Sequence, residues 1–144
     1  MIAIDTNVLV YAHRLEAAEH RVAVRLLEGL ANGDDAWGLP WPCAYEFLRV
    51  VTHPRVFERP STTDEALSLL EDVLDSPTVQ LLGEGLSHRH FLRQALHASQ
   101  ATGNLMHDAH LAALLVEHGV SRFLTSDADF ARFRGFEVKN PFRR

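Results

Sequence analysis

Four acids stand out in this 144-residue chain because of where they fall relative to short apolar runs: Asp5, Glu46, Asp108 and Asp127. Asp5 directly follows Ile2-Ala3-Ile4, and Asp127 lies just past Arg122-Phe123-Leu124-Thr125. Glu46 falls one turn into a helical stretch that opens at Pro42, and Asp108 falls in the first turn of a helix that precedes Arg122. Taken singly, each has an ordinary use as a helix cap, a partner of the helix dipole or a solvated acid. Taken together they describe a cluster. Carboxylates ~4 Å apart repel by roughly 4 kcal/mol per pair at an effective dielectric near 20. Such a cluster is tolerable only if some acids hold protons or a cation sits among them. Glu46 and Asp108 lie in apolar stretches with no lysine nearby, so they call for another counter-charge. An all-oxygen ligand set favours Mg²⁺ or Mn²⁺ over zinc. A metal held this way lowers the pKa of bound water and stabilises charge on a phosphoryl oxygen, with no need for a protein nucleophile.

The elements that must position these acids are legible in the pattern of apolar residues. Residues 2–4 read as a short buried strand, and Thr6 or Asn7 can cap the helix that follows. Val22, Ala23, Leu26, Leu27 and Leu30 mark an amphipathic helix over 19–31, stopped by Asn32-Gly33. Residues 36–39 read as a second strand. Pro42 opens a helix that ends before Pro54. Thr62-x-x-Glu65 is a capping box for a helix carrying Leu67, Leu70, Val73 and Leu74. Residues 79–82 read as a third strand, 88–101 and 105–118 as helices, 122–125 as a fourth strand and 136–138 as a fifth. Strands alternating with helices predict a single α/β domain over 1–144, with a short, mainly parallel sheet flanked by helices. In such a sheet ligand sites form beyond the carboxyl ends of the strands, where Asp5 and Asp127 both emerge.

Composition narrows the class. Hydrophobic residues make up 47% and charged residues 23%, as in ordinary globular chains. No apolar run approaches the ~18–20 residues needed to cross a bilayer, and the first residues carry no basic flank of a leader. Cys43 is the sole cysteine, which excludes an internal disulfide and a cysteine-rich zinc site. A cytoplasmic protein without membrane association is expected. The net charge of −5 is low for a partner of nucleic acid, but the four acids carry most of it and bound metal would offset them.

The same residues match a known pattern. The chain resembles the PIN-domain nucleases, and specifically the VapC-type toxins of toxin–antitoxin pairs. The resemblance rests on Ile4-Asp5-Thr6-Asn7-Val8-Leu9, on Glu46-Phe47-Leu48-Arg49-Val50-Val51-Thr52-His53-Pro54-Arg55, on Gly103 through Leu114 and on Thr125-Ser126-Asp127-Ala128-Asp129-Phe130. The ending from Phe130 to Pro141 resembles an actinobacterial subgroup. These pieces span nearly the whole chain. The resemblance implies a three-layer PIN-like fold and Mg²⁺- or Mn²⁺-dependent cleavage of RNA, with tRNA or ribosomal RNA as substrate. It implies Asp5, Asp108 and Asp127 as metal-binding acids and Glu46 as the fourth, with Asp129 as a further contributor. It also implies Thr6, Asn104 and Thr125 as supports for those acids, a homodimer, and a VapB-type antitoxin that blocks the site.

Other features carry weaker signals. Arg49, Arg55 and Arg132 are candidate phosphate contacts, as are the basic residues near the C-terminus. Trp37 and Trp41 suit core or interface packing better than base stacking. His107, Asp108 and His110 fall within one turn, but no zinc-type spacing appears, and solvated or capping histidines are expected. Two other functions are open to these residues. A phosphatase with Asp5 as covalent nucleophile would want a second Asp where Asn7 stands and a lysine before the last acids, whereas Lys139 follows them. A protein-binding module is the other: a phospho-receiver fails on the same missing lysine and on the lack of a mid-chain Asp after a strand, and an inactive PIN module would be expected to have lost some of these acids.

Overall fold

The computed structural model describes residues 1–143. Five short strands, β1 (Ile2–Ile4), β2 (Trp37–Pro40), β3 (Val79–Leu82), β4 (Arg122–Leu124) and β5 (Glu137–Lys139), form one sheet. Their order is β3-β2-β1-β4-β5, and every pairing is parallel. Successive strand residues point to opposite faces of a sheet. All four residues of β2 are buried, as are Ala3 and Ile4 in β1. Both faces are therefore covered, as a parallel sheet requires.

Six helices supply the cover: α1 (Thr6–His13), α2 (His20–Asn32), α3 (Trp41–Val51), α4 (Thr63–Leu74), α5 (His88–Ser99) and α6 (Leu105–Glu117). α1 packs on α2 and α3, α3 on α4, and α5 on α6. The fold is the three-layer α/β arrangement that the sequence predicts. Local chemistry sets the ends. The Thr62–Glu65 capping box forms at α4. Pro40 ends β2 in an extended conformation and Pro42 sits in the first turn of α3. Gly119, at φ +68°, turns the chain out of α6 where other residues would be strained.

Several expected bounds move by one or two residues, as at α2, α5 and β5, and two differences have a clear physical cause. Asp5 itself, rather than Thr6 or Asn7, caps α1, accepting the Thr6 N–H. β2 runs to Pro40, one residue beyond the alternation in the sequence. Pro40 can end this interior strand because it pairs with Leu82 at the very edge of the register, where a missing N–H costs least.

The strand order reverses between β1 and β4. From β1 the chain builds outward through β2 and β3; it then returns to add β4 and β5 on the other side. Such a reversal opens a crevice at the carboxyl ends of the two central strands. Helices in this alternation run antiparallel to the strands, so the start of α6 comes back to the same edge.

Candidate active site

Asp5 leaves β1 at this crevice and is only 7% exposed. Its Oδ1 accepts the Thr6 N–H at 2.7 Å and faces the buried Cys43 thiol at 3.5 Å. Its Oδ2 accepts the Thr125 hydroxyl at 2.6 Å and the Asn7 amide at 3.3 Å. The Thr125 contact has the length of a charge-assisted O–H···O⁻ bond. Thr125 is 1% exposed, and its Oγ1 also accepts from the Asp127 N–H at 2.9 Å and from Asn7 Nδ2 at 3.1 Å. One hydroxyl thus joins the end of β1 to the turn after β4. Beyond that turn Asp127 accepts the Asp129 N–H at 2.9 Å and caps a short 3-10 helix, Ala128–Arg132.

Asp5, Asp108, Asp127 and Glu46 all line one cleft of about 720 Å³. Thr6, Asn7, Cys43, Arg49, His107 and His110 share its walls. Asp108 reaches it from the first turn of α6, and Glu46 from α3. Burial holds the Asp5 carboxyl above the ordinary carboxylate range, against the hydrogen bonds from Thr125 and Thr6. Asp108 is also raised, first by partial burial and then by the charges of Asp127, Asp5 and Asp129. Both shifts come first from burial, which disfavours the charged carboxylate, and neighbouring acids add to it, so a proton or a cation is favoured there.

Glu46 is different. Its carboxylate is held by the Arg49 guanidinium through a two-pronged contact, Nη2 to Oε1 at 2.5 Å and Nε to Oε2 at 3.0 Å. That pairing lowers its pKa, and 44% of its side chain is exposed. The sequence suggested an acid in need of an outside counter-charge; Arg49, three residues on, already supplies one. Arg49 is accordingly half of an ion pair, with 58% of its side chain exposed.

The remaining expected residues are distributed as follows. Thr6 supports Asp5 through its backbone N–H, and Thr125 through its side chain. Asn104 is exposed at the N-cap of α6, makes no capping bond and lies off the cleft walls. Asp129 is exposed and touches the cleft only through its charge on Asp108 and its backbone bond to Asp127. Arg55 and Arg132 are exposed away from the cleft walls. Trp37 is core, with its indole N–H on Thr78 Oγ1 at 3.1 Å, whereas Trp41 is 40% exposed. Asn7 and Cys43, absent from the expected site, are part of it. Asn7 stands where a phosphatase nucleophile would want a second acid, and its amide donates to Asp5 and Thr125 instead.

A metal ion fits this donor set. The carboxylates supply oxygen alone, and they gather in one cleft with only Arg49 as a positive side chain besides two histidines on its walls. Among the described residues these acids do not bring three ligand atoms within 4.8 Å of one another, so the cluster is open. Mg²⁺ keeps several waters and takes one or two carboxylates directly, so an open cluster suits it.

A parallel sheet of this order with acids gathered at its switch point defines the class, and the chain belongs to the PIN-domain family, whose profile matches residues 2–135. Within that family it is a VapC ribonuclease. It is 40% identical over 141 residues to ribonuclease VapC43 of Mycobacterium tuberculosis, covering 98% of this chain and 95% of that protein. It is 35% identical over 141 residues to ribonuclease VapC37 of the same organism, covering 98% and 97%. Solved structures share the fold. VapBC2 of Rickettsia felis, bound to a DNA fragment from its promoter, aligns with a TM-score of 0.68 at 19% identity over 97% of this chain and 98% of that one. The sarcin–ricin loop cleaving toxin VapC20 of Mycobacterium tuberculosis aligns at 0.65 and 16% identity over 91% and 93%.

Proposed function

We propose that this VapC ribonuclease is the toxin of a toxin–antitoxin pair and hydrolyses RNA phosphodiester bonds at the Asp5–Asp108–Asp127 cluster with Mg²⁺ or Mn²⁺. The observation that carries the reading is one cleft walled by four acids, in which Asp5 and Asp108 are raised first by burial and then by the charges of neighbouring acids. A divalent ion held by Asp5, Asp108 and Asp127 would make an attacking water more acidic and would offset charge on the phosphoryl oxygens. The chain's own groups do the positioning. Thr125, Asn7 and the Thr6 N–H fix the Asp5 carboxylate. Glu46 and its partner Arg49 line the same cleft, and the planar guanidinium suits a phosphate contact.

The family match over residues 2–135 and one contiguous apolar core support a single PIN domain over 1–144. A VapB-type antitoxin as partner is supported by the VapC relatives and by the fold shared with VapBC2 and with FitAcB of Neisseria gonorrhoeae. Exposed Trp41, Tyr45 and Leu86 offer apolar surface for it or for a homodimer. Among the described residues no helix is long and apolar enough to cross a membrane, which is compatible with a cytoplasmic RNA substrate, tRNA or ribosomal RNA.

The test is cleavage of total RNA by the purified chain with Mg²⁺, with Mn²⁺ and with chelator. Activity restored by metal and abolished in Asp5→Ala and Asp108→Ala is expected. Full activity in either folded variant overturns the site.

A further inference from the structure

The loop after β3 meets the start of α5 and the outer face of α6. Glu84, His88 and His110 each present one ligand atom there, and the three atoms lie within 4.8 Å of one another. His110 Nε2 contacts Glu84 Oε1 at 2.6 Å. The His88 and His110 rings meet edge to face, with centroids 5.5 Å apart. His88 uses Nδ1 to engage Glu117 Oε1 at 2.7 Å, which leaves its Nε2 free.

Glu117 makes the arrangement more than two surface pairs. Its side chain is 7% exposed, and its second oxygen accepts the Gly85 N–H at 2.7 Å. A buried carboxylate that grips one ring nitrogen fixes the tautomer and presents the other nitrogen outward, as carboxylates behind metal-ligating histidines do. The loop is cut to fit it. A Cβ on Gly85 would lie 2.7 Å from Glu117 Oε2. His118 Nε2 holds the Gly83 carbonyl at 2.6 Å from the other side. His110 and Glu117, seven apart, share a face of α6.

We propose that Glu84, His88 and His110 form a binding site for a borderline divalent cation of the Zn²⁺ type, beside the carboxylate cleft and using none of its four acids, with Glu117 orienting His88. Two imidazoles and one carboxylate suit such an ion, whereas Mg²⁺ and Mn²⁺ prefer oxygen. Ligand bonds of ~2.0–2.2 Å place donor atoms roughly 3.3 Å apart around a tetrahedral centre, so an ion opens the 2.6 Å Glu84–His110 contact and draws in the wider pairs, which already lie within 4.8 Å. The fourth position is left to water. Because His110 also walls the cleft, an ion here fastens the loop and α5 to the helix that carries Asp108. The spacing of the histidines gave no hint of this set, because its ligands come from a loop and two helices.

The test titrates the purified full chain with Zn²⁺, and with Co²⁺ as a spectroscopic stand-in, in excess Mg²⁺ to fill the carboxylate cleft. One Co²⁺ per chain is expected, with the intense visible bands of a four-coordinate site containing nitrogen, displaced by Zn²⁺. His88→Gln and Glu84→Gln each weaken Zn²⁺ binding by at least about tenfold, and Asp108→Asn leaves it unchanged. Circular dichroism in Mg²⁺ alone confirms that the variants are folded; Glu84 is exposed, so its variant keeps the test decisive. Absence of saturable Zn²⁺ binding, binding that survives both glutamine variants, or binding lost only in Asp108→Asn overturns the proposal.

Discussion

The Thr125 hydroxyl donates to Asp5 Oδ2 at 2.6 Å, joining residues 120 positions apart in the chain. Both side chains are buried, so the bond is sheltered from competing water. Thr125→Val keeps the shape and removes the donor. It leaves Asp5 Oδ2 short of a partner and frees the Asp127 N–H, at an expected stability loss of about 1–3 kcal/mol. Cleavage should fall by about 10–100-fold, the usual effect of losing a group that orients a metal ligand. Urea denaturation and initial rates at saturating Mg²⁺ check both.

Asp108→Asn should separate stability from activity. Asp108 is raised above its ordinary value of 3.8 by burial and by neighbouring acids, so its charge opposes folding. Between the unfolded value and the raised folded value, the native state holds more protons than the unfolded chain. Stability from this group therefore falls as pH rises through that window. The metal-free variant should lose this component and melt above the wild type at neutral pH. Added Mg²⁺ should stabilise the wild type more than the variant, and cleavage should be abolished. Thermal melts across pH, with and without Mg²⁺, measure the difference.

Glu46→Gln should be milder. Its partner Arg49 already compensates the charge, and both side chains are substantially exposed. Such pairs contribute about 0–1 kcal/mol, so the melting temperature should barely move. Activity should fall less than in Asp108→Asn, within the ~10–100-fold range of a supporting group. Equal loss in the two variants would make Glu46 a direct ligand.

Gly38 sits in the middle of β2, opposite Ala3 of β1 and Gln80 of β3. A Cβ there would lie 2.8 Å from Leu82 Cδ1 and 3.3 Å from Ala3 Cβ. Gly38→Ala should destabilise by about 1–3 kcal/mol through overpacking, read by chemical denaturation, with the folded fraction still cleaving RNA.

Elements whose signal is local were legible in the sequence. The Thr62–Glu65 box, the stop at Gly119 and the strand at 79–82 each form where their residues dictate. So was the gathering of Asp5, Asp108 and Asp127, because sheet topology and the order of elements decide it. What escaped depends on side chains meeting in space. Arg49 lies one helical turn from Glu46, and that spacing could have identified the pair. The role of Asn7 depends on the close approach of β1 and β4. The Glu84–His88–His110 set depends on a loop folding onto α6. Asn104 resembles a supporting residue by its distance from Asp108, yet it lies at a helix start that turns its side chain to solvent.

The central place of β1 has a temporal consequence. β1 pairs with β4 across 120 positions of chain, so it gains that neighbour only after all the intervening elements have been synthesised. Asp5 has neither its threonine clasp nor its third acid until residue 127 has left the ribosome. A copy that stops short of β4 leaves β1 with one neighbour instead of two and cannot bring Asp127 to the cleft that Asp5 lines.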